Sequence, residues 1–359
     1  MSVTTTATAG VVAATIAASD HHEQTREPVP SMRAVTQRRY GTSSRLEVAD
    51  VDRPAIGDEE VLVEVHAAGL DRGTQHLMTG RPWLVRLAGF GVLRPKQPIP
   101  GLDVAGIVVA AGAGVTRFQV GDAVFGIASG SFAEFAVASQ DKLATKPDDL
   151  SFEQAAVSAV SGITALQALT DIGRLSAGQR VLVIGASGGV GTFAVQLASA
   201  LGATVDGVAG TANLDLVASL GAENVHDHRT TAMGEIADRY DLVLDVGGRN
   251  PVRTLRRLLH PKGTLVIVGG EDGNRLTGGV GRQLRALMWS PFVGQRLTTF
   301  ISREHHIHIE RLAQHLGAGA VAPVIGASFP LEETVRAVER MEDGHTGGKT
   351  VITVARRSA

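Results

Sequence analysis

The chain has 359 residues, 44% apolar and 19% charged, with 43 glycines, which describes a globular protein with more than one core and excludes fibrous and disordered roles. Its 34 basic and 36 acidic residues leave a net charge of −2, too weak a field to hold a polyanion, so nucleic acid is not an expected partner. With no cysteine there can be no disulfide, no thiolate nucleophile and no Cys-ligated zinc or iron-sulfur cluster.

Residues 1–31 are mostly Thr, Ala, Pro and polar groups, and a flexible leader is expected there. The apolar run at 9–18 is short of a membrane span and follows no Lys or Arg, so neither an integral span nor a signal peptide is expected and the chain reads as cytoplasmic. From residue 32 short strand-like segments follow one another: RAVTQRRY, VLVEVHAAG at 61–69, DVAGIVVAAG and DAVFGIA, separated by Pro and Gly. They suggest a small β-rich barrel over 32–155.

Near Ser151 the texture becomes helical, with Ser151 as N-cap and Glu153 and Gln154 in the first turn. Beyond it, strand-like VLVIG, DLVLDV and TLVIVGG alternate with helix-like TFAVQLASALG and PVRTLRRLLH. Continuous apolar strands alternating with helices mark βαβ units on a parallel sheet, predicting a doubly wound α/β domain over 156–305. The strand-like APVIGASFP and KTVITV, around a helix at 331–341, are expected to return to the first domain, completing it with 306–359.

The strongest local signal is VLVIGASGGVGTFAVQLASALGA, an apolar strand, a loop with Gly185, Ser187, Gly188, Gly189, Val190 and Gly191, and a helix starting near Gly189. Glycines allow a tight turn and close approach of backbone to a pyrophosphate, whose charge meets the free N–H groups of the helix start. A dinucleotide site is therefore predicted. An NAD site normally ends its second strand in an acid that accepts from the ribose hydroxyl. Here that place is filled by Ala209, followed by Gly210, Thr211 and Asn213, while Asp206 lies too early, within the strand. The missing acid favours NADPH, although no Arg or Lys lies within 209–215 and NADH stays open.

On these motifs, together with PAIGDEEVLVEVHAAGLDRGTQHLMTG, PIPGLDVAGIVVAAGAGVTRFQVGDAVFG, SFAEFAVAS, PKGTLVIVGG and GGKTVITV, the chain resembles the medium-chain dehydrogenase/reductase superfamily, in its zinc-independent quinone oxidoreductase-like branch. RPWLVRLAGFGVLRPKQPIPGLDVAG and LMWSPFVGQRLTTFISR resemble a bacterial subgroup usually labelled NAD(P)-dependent alcohol dehydrogenase. The resemblance implies a GroES-like catalytic domain beside a Rossmann domain, with hydride passing from NADPH to a small electrophilic acceptor, a quinone or an α,β-unsaturated carbonyl. Zinc-dependent members carry Cys and His-Glu where this chain has Leu70-Asp71 and Gly101-Leu102-Asp103, so no metal is expected. Two alternatives stay open: reduction of saturated aldehydes or ketones, and a noncatalytic nucleotide-binding role.

The resemblance points to Asp71, Thr74 and His76 as the positions facing the nicotinamide, where Asp71 and Thr74 depart from the usual pattern. His76 is the candidate proton donor, since imidazole titrates near working pH. Tyr40, in a Tyr-Gly pair, is placed by the resemblance near the substrate cleft, and Thr164 near the nicotinamide amide. Gly247, Gly248, Gly269 and Gly270 follow predicted strands at their carboxyl ends, where open α/β sheets bind ligands, and Lys349 is a further cofactor or cleft contact. His305, His306 and His308 read as a surface turn rather than a metal set, and His226, Asp227 and His228 as a solvated loop. The basic amphipathic stretch 274–292 suggests a lid or an interface, and the strand-like QRLTTFISR suggests a homodimer paired through that edge.

Overall fold

The fold is described by a computed structural model covering residues 1, 30–83, 86–269, 278–344 and 347–354. The expectations for 2–29, Gly270 and the start of the 274–292 stretch lie outside the described residues.

The chain opens with an antiparallel pair, β1 (Ser31–Gln37) and β2 (Leu46–Asp52). Strand β3 (Glu60–Leu70) leads into helix α1 (Arg72–Thr79), and β4 (Asp103–Ala111), β5 (Ala123–Ile127), β6 (Phe135–Ser139) and β7 (Leu143–Thr145) follow. β3 organises this unit. One edge pairs with β4, while the other pairs with β6 through Glu60–Glu64 and with β15 (Lys349–Thr353) through Ala67–Leu70. Outside β15 lies β14 (Ile325–Pro330), so the C-terminal segment joins this first sheet. Alternation buries Val61, Val63 and Val65, after which Ala67, Ala68 and Leu70 are buried in succession because the strand runs between two layers. Gly69 marks the closest approach: a Cβ there would lie 2.4 Å from the Ala156 carbonyl oxygen and 2.8 Å from Asp103 Cβ.

Helices α2 (Phe152–Ala156) and α3 (Ala159–Gln167) carry the chain across. Ser151 caps α2 in a capping box with Gln154, as its sequence predicts. The helical stretch divides between α2 and α3, and at the start of α3 Asp103 Oδ1 accepts from the Val160 N–H at 2.7 Å. The second unit then alternates β8 (Arg180–Ile184), α4 (Gly189–Ala200), β9 (Thr204–Ala209), α5 (Leu214–Ser219), β10 (Asn224–Asp227), β11 (Tyr240–Asp245), α6 (Val252–Arg257), β12 (Leu259–Ile267), α7 (Val280–Trp289) and β13 (Arg296–Thr299). Its six parallel strands lie in the order β10-β9-β8-β11-β12-β13. Both faces are covered: Val181 and Val183 join one core cluster, Leu182 and Ile184 the other. The order reverses between β8 and β11, which opens a crevice at their carboxyl ends. Helix α8 (His306–Gly317) and, after β14, α9 (Thr334–Glu342) complete the chain.

Two local expectations change. Residues 226–227 belong to β10, hydrogen-bonded beside β9, and are not a solvated loop. QRLTTFISR pairs only over Arg296–Thr299, where β12 offers partners, and β13 is the edge of its sheet.

Candidate active site

The glycine turn lies at the crevice, and each glycine has its own reason. Gly185 has φ +85°, a conformation that side chains resist, and a Cβ on it would lie 3.0 Å from the Gly247 nitrogen. A Cβ on Gly191 would lie 2.1 Å from the Gly185 carbonyl oxygen, so α4 folds directly onto the turn. Gly188 is different: a Cβ would meet only the Gly185 oxygen at 3.4 Å, and no side chain caps α4 there. The helix start, with Gly189 and Val190 in its first turn, carries uncapped N–H groups and a positive dipole end, the features with which helix starts hold phosphate groups. The C-terminal turn crosses this site. Gly348 N–H donates to the Ser187 carbonyl at 3.1 Å, and Lys349 Cδ would be 2.8 Å from a Cβ on Gly189.

At the rim after β9, Gly210 opens a short turn holding Thr211 and Asn213. The Thr211 hydroxyl donates to Asp227 Oδ2 at 2.6 Å, which with the Arg229 N–H holds that carboxyl below its ordinary range. Asn213 Oδ1 packs 2.8 Å from the Cβ position of Gly347. Asp206 is fully buried and accepts from Arg180, Tyr240 and Asn224 at 3.0, 2.8 and 3.0 Å, which keeps it inside the sheet and away from this rim. Sequence reasoning missed two rim residues. His228 N–H donates to the Ala209 carbonyl at 3.0 Å, and its Nε2 lies 3.4 Å from the Gly210 Cβ position, with Arg229 next in the chain. A search for cations within 209–215 alone could not find groups that β10 brings alongside.

At the carboxyl ends of β11 and β12, Gly247 abuts Gly185, and a Cβ on Gly269 would lie 2.0 Å from the Val246 oxygen. Gly248, with φ +70°, donates to Asp245 Oδ1 at 3.1 Å. Arg282 of α7 reaches back to pair with the buried Asp245 carboxylate and donates to the carbonyls of Asn250 at 2.9 Å and Gly269 at 2.8 Å. The described part of the expected lid is thus tied to the sheet through Arg282.

The opposite wall comes from β3, β4, α1 and β15. Asp71 caps α1, its Oδ1 accepting from the Thr74 N–H at 2.7 Å. Its Oδ2 and the Thr74 hydroxyl are buried without a hydrogen-bond partner. Asp103, which sequence reasoning weighed only as a vacant zinc position, accepts from Val160 N–H and pairs with Lys349 Nζ at 3.1 Å, both side chains buried. Burial pushes the Asp103 carboxyl up to about 7, and the neighbouring Asp71 charge adds to this against the pull of Lys349. The ammonium already answers the Asp103 carboxylate, and Asp71 spends Oδ1 on capping α1, so this pair does not fit a zinc ion. Thr164 donates back to the Val160 carbonyl at 2.7 Å on α3.

His76 and Tyr40 form a separate group around the end of α1. His76 Nδ1 lies 3.0 Å from the Arg81 carbonyl oxygen, so that nitrogen carries the hydrogen. The Tyr40 hydroxyl lies 2.9 and 2.6 Å from the carbonyl oxygens of Phe90 and Gly91, and Arg86 stacks over its ring at 4.3 Å. Burial raises this phenol's pKa, and its hydroxyl serves the 86–91 segment. Trp83, Leu87 and Phe90 beside it are exposed, as are Leu284, Leu287 and Met288 of α7, and a Cβ on Gly278, just before α7, would lie 3.0 Å from Pro82 Cγ, so the two segments approach each other there. Elsewhere, His305 and His306 meet Asp141 at the start of α8, with ligand atoms within 4.8 Å of one another, a neighbour their sequence did not reveal.

Comparison with known proteins identifies the family. Residues 57–148 match the alcohol dehydrogenase GroES-like domain, and 220–352 match the family described as zinc-binding dehydrogenase. The chain is 32% identical to the quinone oxidoreductase of Mus musculus over 332 residues, covering 89% of this chain and 96% of the relative. It is also 32% identical to the mitochondrial NAD(P)H oxidoreductase RTN4IP1 of the same organism over 329 residues, 82% of each chain. Among solved structures, the quinone oxidoreductase from Coxiella burnetii superposes with a TM-score of 0.80 at 27% identity, over 91% of this chain and all of that one. A mycobacterial protein solved with NADPH superposes at 0.76 and 25% identity, over 90% of this chain and 99% of its own. The chain belongs to the medium-chain dehydrogenase/reductase superfamily, in its quinone oxidoreductase-like branch.

Proposed function

We propose that this chain is an NADPH-preferring reductase of quinones or α,β-unsaturated carbonyls. The observation that carries the reading is the open, uncapped glycine turn at Gly188, facing a wall where Asp71 and Thr74 keep buried polar atoms unanswered. When bound, a reduced nicotinamide supplies the hydride. Gly185, Ser187, Gly188, Gly189, Val190 and Gly191 would hold the pyrophosphate, with Gly247 and Gly269 beside it. Gly210, Thr211 and Asn213 would hold the adenosine end, where His228 and Arg229 favour a 2′-phosphate. Thr164, Asp71 and Lys349 would orient the nicotinamide end.

His76 is the proposed proton donor and Asp71 the group that sets a negative potential at the cleft wall. Tyr40 acts as a positioning residue, tying down the 86–91 segment. The exposed apolar side chains of that segment and of α7 suit an apolar, electron-poor acceptor. As parts of the same proposal, 32–155 with 306–359 forms the catalytic domain and 156–305 the Rossmann domain, β13 pairs with its copy in a homodimer, and the location is cytoplasmic. No helix among the described residues is long and apolar enough to cross a membrane.

The test is oxidation of NADPH and NADH, followed by loss of the reduced nicotinamide absorbance, against phenanthrenequinone, benzoquinone, an enone, an enal and a saturated aldehyde. Turnover confined to quinones or enones supports the proposal. An alcohol product from the aldehyde supports a carbonyl reductase instead, and binding without turnover on any acceptor supports the noncatalytic role.

A further inference from the structure

At the amino ends of β11, β12 and β13, the edge of the sheet away from the glycine turn, a concavity of about 550 Å³ is lined by Arg239, Arg253, Arg256, Arg257, Leu259 and Gln295. The arginines come from separate places in the chain: Arg239 just before β11, the other three on α6. We propose that this pocket binds a multiply charged phosphate anion, such as an inorganic polyphosphate or the phosphate chain of a free nucleotide, at a site distinct from the cofactor crevice.

No carboxylate among the described residues pairs with any of the four guanidinium groups. The nearby acids are engaged elsewhere: Asp238 pairs with Arg180 at 3.0 Å, and Asp241 accepts from the Arg180 N–H at 2.9 Å. Other arginines of this chain do find carboxylates, among them Arg117, Arg282 and Arg311. The stretch 252–262 holds Arg253, Arg256, Arg257, His260 and Lys262 with no acid, in a chain whose net charge is −2.

Two of the groups are held from behind. Arg256 donates through Nε to Gln295 Oε1 at 3.0 Å, and Gln295 returns a bond to the Arg256 carbonyl at 2.9 Å. Arg239 donates through Nη1 to the carbonyls of Ala237 and Asp238 at 2.9 and 3.1 Å. Such anchoring orients planar forks that match phosphate oxygens two at a time. The helix dipole accounts for part of the cluster, because Arg256 and Arg257 stand in the last turn of α6, at its negative end. It does not account for Arg253 in the first turn or Arg239 outside the helix. Gathering four like charges without a counter-charge costs stability that an anion recovers. The volume exceeds what one phosphate needs and lies in the range of small-ligand sites, about 300–1,000 Å³.

The test is calorimetric titration of tripolyphosphate into the full chain at low salt, with NADPH at saturation so that the glycine turn is filled. Arg253→Gln/Arg257→Gln is the main variant, and Arg239→Gln is the second; all three positions are exposed, so folding is preserved and is checked by thermal melting. Binding near one to one, weakened roughly tenfold or more in the double variant and in proportion by added salt, is the expected result. Absence of binding to the wild type, affinity in both variants equal to that of the wild type, or binding seen only without NADPH overturns the proposal. So does capture by vesicles carrying a bisphosphorylated lipid without any binding of tripolyphosphate.

Discussion

Lys349 Nζ sits 3.1 Å from Asp103 Oδ2 with both side chains buried, joining β15 to β4 while the lysine stem lies against Gly189 at the start of α4. One ion pair thus links the last strand of the first sheet to the glycine turn of the other sheet.

Lys349→Met leaves Asp103 buried without its partner, and a loss of about 3–5 kcal/mol is expected in urea unfolding. Asp103→Leu combined with Lys349→Met removes both charges and should recover most of that stability. A double variant as unstable as the single one would show that the pair acts through something other than charge.

Asp103 also sets a pH dependence. Its carboxyl titrates near 7 in the folded chain and near 4 when unfolded, so the folded state holds the proton more tightly. Its stabilising contribution is complete below about 4 and is lost as pH rises to about 7, with no further change above. Unfolding free energies of wild type and Asp103→Asn, compared from pH 5 to pH 8, should differ by an amount that falls for the wild type and flattens above pH 7. A constant difference would contradict the burial effect.

Gly188→Ala separates binding from folding. The added methyl meets only the Gly185 oxygen at 3.4 Å, at an ordinary φ of −80°, so the melting temperature should stay within about 2 °C. The same methyl intrudes on the proposed pyrophosphate space, and nucleotide affinity should fall about tenfold or more. Gly191→Ala, whose methyl would sit 2.1 Å from a backbone oxygen, should instead lower the melting temperature outright.

His228→Ala/Arg229→Ala tests the adenosine rim. NADPH binding should weaken by about tenfold while NADH binding stays level, since only the former carries a 2′-phosphate for a cation to meet. Parallel losses would place these residues outside the rim's recognition role.

His76→Gln distinguishes acceptors. Enone reduction needs a proton placed on carbon and should slow by about a hundredfold, whereas a quinone oxygen takes its proton from water and should be little affected. Equal rates on both acceptors would remove His76 from the chemistry.

The apolar runs, the glycine spacing and the Ser151 capping box were legible because they depend on neighbours close in sequence: a helix start needs its cap within three residues, and a phosphate turn needs its glycines in order. The same local logic placed Asp206 inside its strand. Residues 226–227 were misread because a four-residue strand depends on the neighbour it pairs with, and β9 lies some twenty residues earlier. Histidine 228 and Arg229 became rim residues by that same pairing.

The sequence by itself determined two folding units of different periodicity, a glycine turn between a strand and a helix, and the family to which the chain belongs. Only the tertiary structure decided that Asp103 and Lys349, 246 positions apart, neutralise each other, that Tyr40 spends its hydroxyl on the 86–91 backbone, and that four arginines converge on one pocket. Charge partners and shared cavities arise from strand order and packing, and a one-dimensional pattern carries the periods that build the sheets but not the contacts that the assembled sheets create.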